Sequence, residues 1–210
     1  MNQAFVLGSK PSPLGRVGCP ALATCSTEAP RRMGTVRDAV VLAAGGGQRM
    51  GLPKARLLVD GVPLLLQHVE RFQGAGLVVT AVLGADFDDI AALLPRTVRV
   101  VRNPRWAETD PAHSAWLALQ DLGDCLLAPV DTPPASPGTL QRLLRADGDA
   151  VPSFDGHDGH PVRLCAPHRP GRLDERLAGA PRLAVDDPAC VLNLNTPADL
   201  ATWRAVRPRP

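Results

Sequence analysis

Residues 42–54 read LAAGGGQRMGLPK and follow the apolar run Ala39-Val40-Val41. Glycines have no Cβ, so the backbone at Gly45 to Gly47 can adopt positive φ and turn successive N–H groups toward one anion. Arg49 and Lys54 add positive charge to the same loop. The pattern therefore predicts a phosphate-binding loop directly after the first strand, although an isolated glycine triplet is more often a plain turn.

Lysine usage favours the functional interpretation of this loop. Of the 23 Lys and Arg residues, 21 are arginine, and the only lysines are Lys10 and Lys54. A lysine presents a compact point charge that the planar guanidinium of arginine cannot reproduce. We therefore expect Lys54 to have a chemical role.

Two common glycine motifs do not match the loop. The dinucleotide fingerprint G-x-G-x-x-G requires glycine or alanine at position 50, where the chain has Met50. A P-loop that runs from Gly46 to Gly51 requires lysine and then serine or threonine, where the chain has Leu52 and Pro53. The loop therefore predicts neither a dinucleotide fold nor a P-loop enzyme.

Composition limits the class of protein. The 210 residues are 45% hydrophobic, and no apolar run approaches the roughly 20 residues that span a bilayer, so we expect one soluble domain without a membrane partner. A net charge of +2 gives no reason to expect a nucleic-acid partner. The five cysteines are odd in number and lack C-x-x-C spacing, which argues against a disulfide framework and a zinc site. A reducing, cytoplasmic location is expected.

Residues 1–36 show neither strand nor helix periodicity. We predict that they form a disordered tail, or that translation starts at Met33 and the residues before it come from a misassigned start. Residues 37–206 alternate apolar runs with helical patterns, and 207–210 form a short tail. Strands are predicted at 39–42, 78–83, 99–101, 125–128, 150–152, 162–165 and 190–194, and helices at 64–73, 86–94, 113–122, 138–145 and 198–206. This alternation predicts an α/β fold with a mostly parallel sheet.

The loop resembles the signature of small nucleotidyltransferases, LAAG-x-(S/G)-x-RMG-x-PK, and in particular that of molybdenum cofactor cytidylyltransferases. A weaker resemblance extends to residue 200. It implies a single three-layer Rossmann-like nucleotidyltransferase domain with a mostly parallel mixed sheet. The residues that it implies for nucleotide binding are Leu42, Ala43, Ala44, Gly45, Gly46, Gly47, Arg49, Lys54, Asn103 and Ser114.

An acid follows the predicted strand at 125–128, where a ligand of an open α/β sheet is expected. Asp131 could cap the next helix, but Ser136 followed by Pro137 fits that position better. The resemblance implies that Asp131 binds Mg²⁺ beside the nucleotide phosphates. The sequence therefore favours a metal ligand over a helix cap.

The segment from Asn193 to Asp199 resembles the closing element D-x-D-T-P-x-D of the family, with both leading acids replaced by amides. Asn195 aligns with the usual metal ligand, and a hard divalent ion accepts an amide oxygen. We therefore predict Mg²⁺ between Asp131 and Asn195, bound weakly until a nucleotide supplies phosphate oxygens.

Two further segments resemble family elements. The run Gly159-His160-Pro161-Val162 resembles G-H-P-V and makes His160 the candidate acceptor contact, although a plain turn histidine explains it equally well. The run 101–106 resembles N-P-x-W and implies that Asn103 and Ser114 lie near the base or ribose. From the residues alone, a turn asparagine and a helix cap are the more common interpretation.

The resemblance implies transfer of a nucleoside monophosphate from a nucleoside triphosphate to a phosphorylated acceptor, with release of pyrophosphate. CTP is favoured by the form Ala43-Ala44-Gly45, and a molybdopterin cofactor is the favoured acceptor. Catalysis would rest on positioning and charge neutralisation by Lys54, Arg49, Asp131 and Mg²⁺.

Two alternatives stay open. A sugar-phosphate nucleotidyltransferase is disfavoured because the chain is short. A non-catalytic nucleotide-binding homologue is favoured by departures from the family pattern at 108–114 and 193–195, while a further departure at 170–174 concerns the acceptor half. The sequence gives no indication of the oligomeric state.

Overall fold

The computed structural model describes residues 35–47 and 53–206. The strands are β1 (Asp38–Ala43), β2 (Leu58–Val59), β3 (Val62–Pro63), β4 (Val78–Leu83), β5 (Arg99–Arg102), β6 (Cys125–Pro129), β7 (Val151–Phe154), β8 (His157–Asp158), β9 (Val162–Leu164) and β10 (Arg182–Ala184). The helices are α1 (Leu64–Gly74), α2 (Phe87–Ala91), α3 (Pro111–Leu119), α4 (Pro137–Arg145), α5 (Leu173–Leu177) and α6 (Pro197–Val206). Short 3₁₀ helices cover Lys54–Arg56 and Pro188–Val191.

The main sheet has five strands in the order β5-β4-β1-β6-β9. Strands β5, β4, β1 and β6 are parallel, and only β9 runs antiparallel, against β6. The central strand β1 pairs Leu42 with Val82 on one side and with Pro129 on the other. The carboxyl ends of β4, β1 and β6 therefore meet at one edge, and the predicted mostly parallel mixed sheet is confirmed.

Alternate residues of β1 pack into two different hydrophobic clusters, one on each face of the sheet. Ala39 and Val41 pack with residues of α1, α2 and α4, whereas Val40 packs with residues of α3 and α5. All three β1 side chains have no exposed surface. Helices therefore cover both faces, which explains why these strands are continuous apolar runs.

Two hairpins use Asp-Gly turns. Asp60 and Gly61 connect β2 to β3, and Asp155 and Gly156 connect β7 to β8; all four residues have positive φ. Two-residue loops with positive φ at both positions match the right-handed twist of the strands that they join. Strand β7 also pairs with β10 and so forms a separate three-stranded sheet.

The strand predicted at 190–194 is wrong. Residues 188–191 form a 3₁₀ helix that begins at Pro188, and Leu194 donates its backbone N–H to the Asp131 carbonyl at 2.7 Å rather than to a sheet ladder. Pro188 occupies the first turn of this helix, where its missing N–H is tolerated, and of the apolar residues at 190–194 only Cys190 and Leu194 are buried, while Val191 and Leu192 are half-buried.

Several helix boundaries also differ from the prediction. Helix α3 begins at Pro111, and its cap is Asp110, whose side chain accepts a hydrogen bond from the His113 backbone N–H at 2.8 Å. Ser114 is therefore not a helix cap. Helix α5 and the strands β2, β3, β8 and β10 were not predicted, because each spans five residues or fewer and offers too little periodicity.

Of the predicted tail at 1–36, only residues 35 and 36 are described, and Val36 is buried in the core. Its other residues and residues 207–210 lie outside the described residues. Within the described residues, no helix has the length and apolar character that crossing a membrane requires.

Candidate active site

A cleft of about 490 Å³ opens at the carboxyl edge of the main sheet. It lies where the chain leaves β1 and β6. The two strand ends are joined there by a hydrogen bond from the Val130 N–H to the Leu42 carbonyl at 2.9 Å. The residues that line it are Gly45, Gly46, Gly47, Lys54, Trp106, Ala107, Val130, Asp131 and Asn195. The structure thus brings together six of the predicted nucleotide-binding or metal-binding positions, namely Gly45, Gly46, Gly47, Lys54, Asp131 and Asn195.

Lys54 is the charged centre of this cleft. Its Nζ donates hydrogen bonds to Asp131 Oδ2 at 2.7 Å and to Asn195 Oδ1 at 2.5 Å. The Lys54 and Asp131 side chains are 19% and 27% exposed, so the ion pair is only partly screened by solvent. Asp131 and Asn195, the two residues that the sequence predicts to bind Mg²⁺, therefore both accept hydrogen bonds from the same ammonium group.

Asn195 is held by the start of α6. The Asp199 carboxylate accepts backbone N–H bonds from Asn195 at 2.9 Å and from Thr196 at 2.7 Å, and Thr196 Oγ1 accepts the Asp199 N–H at 3.2 Å. This reciprocal arrangement is a capping box. Hydrogen bonds from Thr196 and Asn195 lower the pKa of Asp199. The segment Thr196-Pro197-Ala198-Asp199 thus positions Asn195 and contributes no side chain to the cleft.

His68 lies beneath the Asp131 turn and was missed by the sequence analysis. Its ring on α1 is 2% exposed, and Nε2 lies 2.7 Å from the Thr132 carbonyl oxygen, which can only accept. Burial lowers the pKa of His68 to about 4, and the Thr132 and Val130 carbonyls and the Asp131 charge oppose this shift only in part. The imidazole is therefore neutral near pH 7 and carries its proton on Nε2.

Trp106 forms one wall of the cleft and requires two glycines. A Cβ at Gly84 would lie 2.5 Å from Trp106 Cβ and 2.6 Å from the Ala44 carbonyl oxygen, and a Cβ at Gly46 would lie 3.0 Å from the indole ring. The indole therefore packs against the glycine loop at a distance that side chains at these positions would prevent.

Asn103 and Ser114 lie behind this wall, with 0% and 6% exposure. Asn103 Nδ2 donates to Ser114 Oγ at 2.9 Å and to Thr109 Oγ1 at 3.0 Å, while its Oδ1 accepts the Arg105 backbone N–H at 3.0 Å. These bonds use the polar atoms of the Asn103 side chain within the protein and fix the loop that carries Trp106. The altered segment at 108–114 supplies three structural groups, the Thr109 and Ser114 hydroxyls and the Asp110 cap.

His160 lies next to the cleft without lining it. Its backbone N–H donates to the Cys190 carbonyl at 2.8 Å, and its Nδ1 is buried without a hydrogen-bond partner in the described part of the chain. Burial lowers the pKa of His160, and the Asp131 carboxylate partly opposes that shift. The neighbouring Gly159 has no room for a Cβ, which would lie 2.7 Å from both the Cys190 carbonyl oxygen and Sγ.

The remaining predicted residues divide into two groups. Ala43 and Ala44 are buried and Leu42 is half-buried, and none of the three lines the cleft. The Ala44 carbonyl accepts the Ala85 N–H at 3.0 Å. Arg49 lies outside the described residues.

The donor set for a metal is small. Within 35–47 and 53–206, no three His, Cys, Asp or Glu side chains are grouped so that they could hold a metal ion. Asp131 and Asn195 supply hard oxygen atoms, which suit Mg²⁺ or Mn²⁺ when waters and phosphate oxygens complete the coordination. The residues fit a metal that arrives with a nucleotide.

The chain matches a known family over most of its length. Residues 39–185 match the MobA-like NTP transferase domain. The curated molybdenum cofactor guanylyltransferase of Rhizobium meliloti (strain 1021) is 30% identical over 137 residues, which cover 61% of this chain and 62% of that protein. The match thus spans less than two thirds of the relative's length.

Two solved structures have the same fold. A nucleotidyl transferase from Methanothermobacter thermautotroptrophicus has a TM-score of 0.67 and 26% identity, over 82% of this chain and 97% of that one. Rv0371C from Mycobacterium tuberculosis H37Rv, described in complex with manganese, has a TM-score of 0.62 and 20% identity, over 82% of this chain and 100% of that one. The Rossmann-like fold and the resemblance to nucleotidyltransferases are confirmed, and the chain belongs to the family of MobA-like NTP transferase domains.

Proposed function

We propose that this chain transfers a nucleoside monophosphate from a nucleoside triphosphate to a phosphorylated acceptor and releases pyrophosphate. The observation that carries the proposal is the meeting of the Gly45 to Gly47 backbone, Lys54 and Asp131 in one cleft. Adjacent glycine N–H groups and an ammonium suit a triphosphate, and a carboxylate beside them suits the divalent ion that accompanies it. Family membership supports this reaction class.

In the proposed reaction, an oxygen of the acceptor's terminal phosphate attacks the α-phosphorus of the triphosphate in line. A new P–O bond to the acceptor forms, the bond between the α-phosphorus and the bridging oxygen breaks, and pyrophosphate leaves with that electron pair. The loop N–H groups, Lys54 and Arg49 would stabilise the negative charge that builds on the leaving group. No side chain of the protein needs to act as a nucleophile.

Asp131 and Asn195 are the residues that would hold Mg²⁺. When bound, the ion would neutralise phosphate charge during the transfer. A protein with this fold has been solved in complex with manganese, which supports the proposal that this chain uses a divalent ion. The choice of magnesium is our proposal, which follows from the oxygen-only donor set.

We also propose which base the nucleotide carries and which acceptor receives it. We favour CTP because the form Ala43-Ala44-Gly45 resembles that of cytidine-using enzymes, while the name of the curated relative points to GTP. We favour a molybdopterin-type acceptor because the same name concerns the molybdenum cofactor. His160 is the proposed acceptor contact, since its buried Nδ1 needs a partner.

Asn103 and Ser114 are proposed to act on the nucleotide indirectly. Their side chains are bonded to each other, so their influence on the base or ribose would pass through Trp106, which lines the cleft. The cytoplasm is the proposed compartment, because the described cysteines, Cys125, Cys165 and Cys190, are free thiols.

The proposal is tested by pyrophosphate release from CTP, GTP, ATP and UTP, each with and without molybdopterin. We expect release that depends on both substrates and is fastest with CTP. Faster release with GTP would reassign the base but keep the reaction. Tight nucleotide binding without release would favour the non-catalytic alternative.

A further inference from the structure

Lys54 occupies the position between the two oxygens that would hold a divalent cation. Its Nζ donates to Asp131 Oδ2 at 2.7 Å and to Asn195 Oδ1 at 2.5 Å. We propose that Lys54 keeps the cation site closed in the nucleotide-free protein, and that a nucleoside triphosphate opens the site by drawing the ammonium onto its phosphates. This inference rests on the proposed function and concerns the order in which nucleotide and metal bind.

The two oxygens cannot serve both cations at once. Each is within hydrogen-bond distance of the same nitrogen, so a metal between them would lie against the ammonium and be repelled by its charge. The Lys54 and Asp131 side chains are mostly buried, at 19% and 27% exposure, which limits the screening of that repulsion. Metal binding therefore requires Lys54 to leave.

The surroundings indicate which partner moves. Asp131 is in a turn fixed by the Leu194 N–H at 2.7 Å and supported by His68 beneath Thr132. Asn195 is fixed by the Asp199 cap. Lys54 begins a three-residue 3₁₀ helix and has four rotatable side-chain bonds, so a change of rotamer moves its charge without moving the backbone.

The phosphates of an incoming nucleotide provide the new partner for Lys54. The glycine loop lines the same cleft, so phosphates held by its N–H groups would lie beside the ammonium and compete with Asp131 for it. Release of Asp131 and Asn195 then creates the metal site at the moment when phosphate oxygens become available to complete it. One lysine thus couples nucleotide binding to metal binding.

A simpler explanation makes a different prediction. If metal binds weakly only because the site has one carboxylate, then removing Lys54 should leave the metal affinity of the free protein unchanged. If Lys54 closes the site, its removal should raise that affinity. The two explanations can therefore be separated without any measurement of turnover.

The experiment is a titration of the nucleotide-free full chain with Mn²⁺, followed by the electron paramagnetic resonance signal of the free ion. Lys54→Met should bind Mn²⁺ on the order of tenfold more tightly than the parent. Lys54→Met combined with Asp131→Asn should lose that gain. Arg56→Met is the matched control, because it removes one positive charge from the same short helix while Arg56 contacts only Asp86 and Asp89 among the described acids; its Mn²⁺ affinity should equal that of the parent.

Circular dichroism and thermal melting establish that each variant is folded, and Lys54→Gln replaces Lys54→Met if the latter is not. Equal Mn²⁺ affinity in the parent and in the folded Lys54 variant would overturn the inference, as would an equal gain in Arg56→Met. Failure of the proposed transfer reaction would appear separately, as absence of pyrophosphate release by the parent protein.

Discussion

The ammonium nitrogen of Lys54 lies 2.7 Å from Oδ2 of Asp131, although 77 positions separate the two residues in the chain. Lys54 precedes β2 and Asp131 follows β6, so only the parallel sheet brings them together. The charge of the cleft therefore depends on a pair that the fold creates at the carboxyl edge of β1 and β6.

Replacement of Lys54 by arginine is expected not to preserve function. The guanidinium is longer and planar, and it cannot place a point charge between two oxygens as the ammonium does. We expect Lys54→Arg and Lys54→Ala to lower kcat/KM with CTP by roughly tenfold or more. Arg56→Lys, two residues away, is the control and should retain parental kinetics. Turnover of Lys54→Arg at the parental rate would contradict the role assigned to Lys54.

Replacing the amide Asn195 by an acid and the acid Asp131 by an amide should have opposite effects on metal binding. Asn195→Asp adds a second carboxylate and should strengthen Mg²⁺ binding in the presence of CTP, whereas Asp131→Asn should abolish turnover. Calorimetry with and without Mg²⁺ measures the first effect, and the transfer assay measures the second. Circular dichroism should show parental folding for both. A CTP affinity that is independent of Mg²⁺ and unaffected by Asp131→Asn would remove the metal site from this cleft.

Gly84→Ala should destabilise the protein, because the added Cβ meets Trp106 Cβ at 2.5 Å and the Ala44 carbonyl at 2.6 Å. The second contact is with backbone, which cannot rotate away, and overpacking of this kind costs about 1–3 kcal/mol. Thermal or urea unfolding measures the loss. Gly123→Ala is the matched control, since its Cβ would have no neighbour within 4 Å. Equal stability of the two variants would show that Trp106 does not require this close approach.

His68 should make the protein less stable in mild acid. Its folded pKa, about 4, lies below its ordinary value of 6.5, so the unfolded chain binds the proton more readily. This contribution is complete above pH 6.5 and is lost as pH falls from 6.5 to about 4, by about 3 kcal/mol in total. Urea unfolding at a series of pH values measures the slope.

His68→Gln can still donate to the Thr132 carbonyl, and it should reduce that slope. A smaller slope should remain, because burial also lowers the pKa of His160 and acts in the same direction. An unchanged pH dependence in His68→Gln would show that His68 is not the group responsible.

The main sheet was predictable because its strands are buried on both faces and separated by helices. The apolar runs at 39–42, 78–83 and 125–128 fall within β1, β4 and β6. The hairpins had a signal that was overlooked, since Asp60-Gly61 and Asp155-Gly156 are the residue pairs that two-residue turns prefer. The run at 190–194 has strand-like composition, but its backbone N–H groups bond locally in a 3₁₀ turn or, at Leu194, to the distant Asp131 carbonyl.

Those cleft residues could be predicted whose residue type is unusual at its place in the sequence. The glycine triplet, Lys54 and Asp131 are unusual in their local sequence and line the cleft. His68 offers no such signal, because it lies on the buried face of α1 and reaches Thr132 across 64 positions. The position of Trp106 depends on Gly46 and Gly84 together, and neither glycine indicates the other in the sequence.

The most direct test of the proposed function follows the α-phosphate itself. CTP or GTP labelled with ³²P at the α-phosphate is incubated with the full chain, Mg²⁺ and molybdopterin, and the label is located after separation of the products. The expected result is that the label moves to the acceptor with the parent protein and stays in the nucleotide with Asp131→Asn. Label that stays in the nucleotide with the parent protein, under conditions where calorimetry shows both substrates bound, would contradict it.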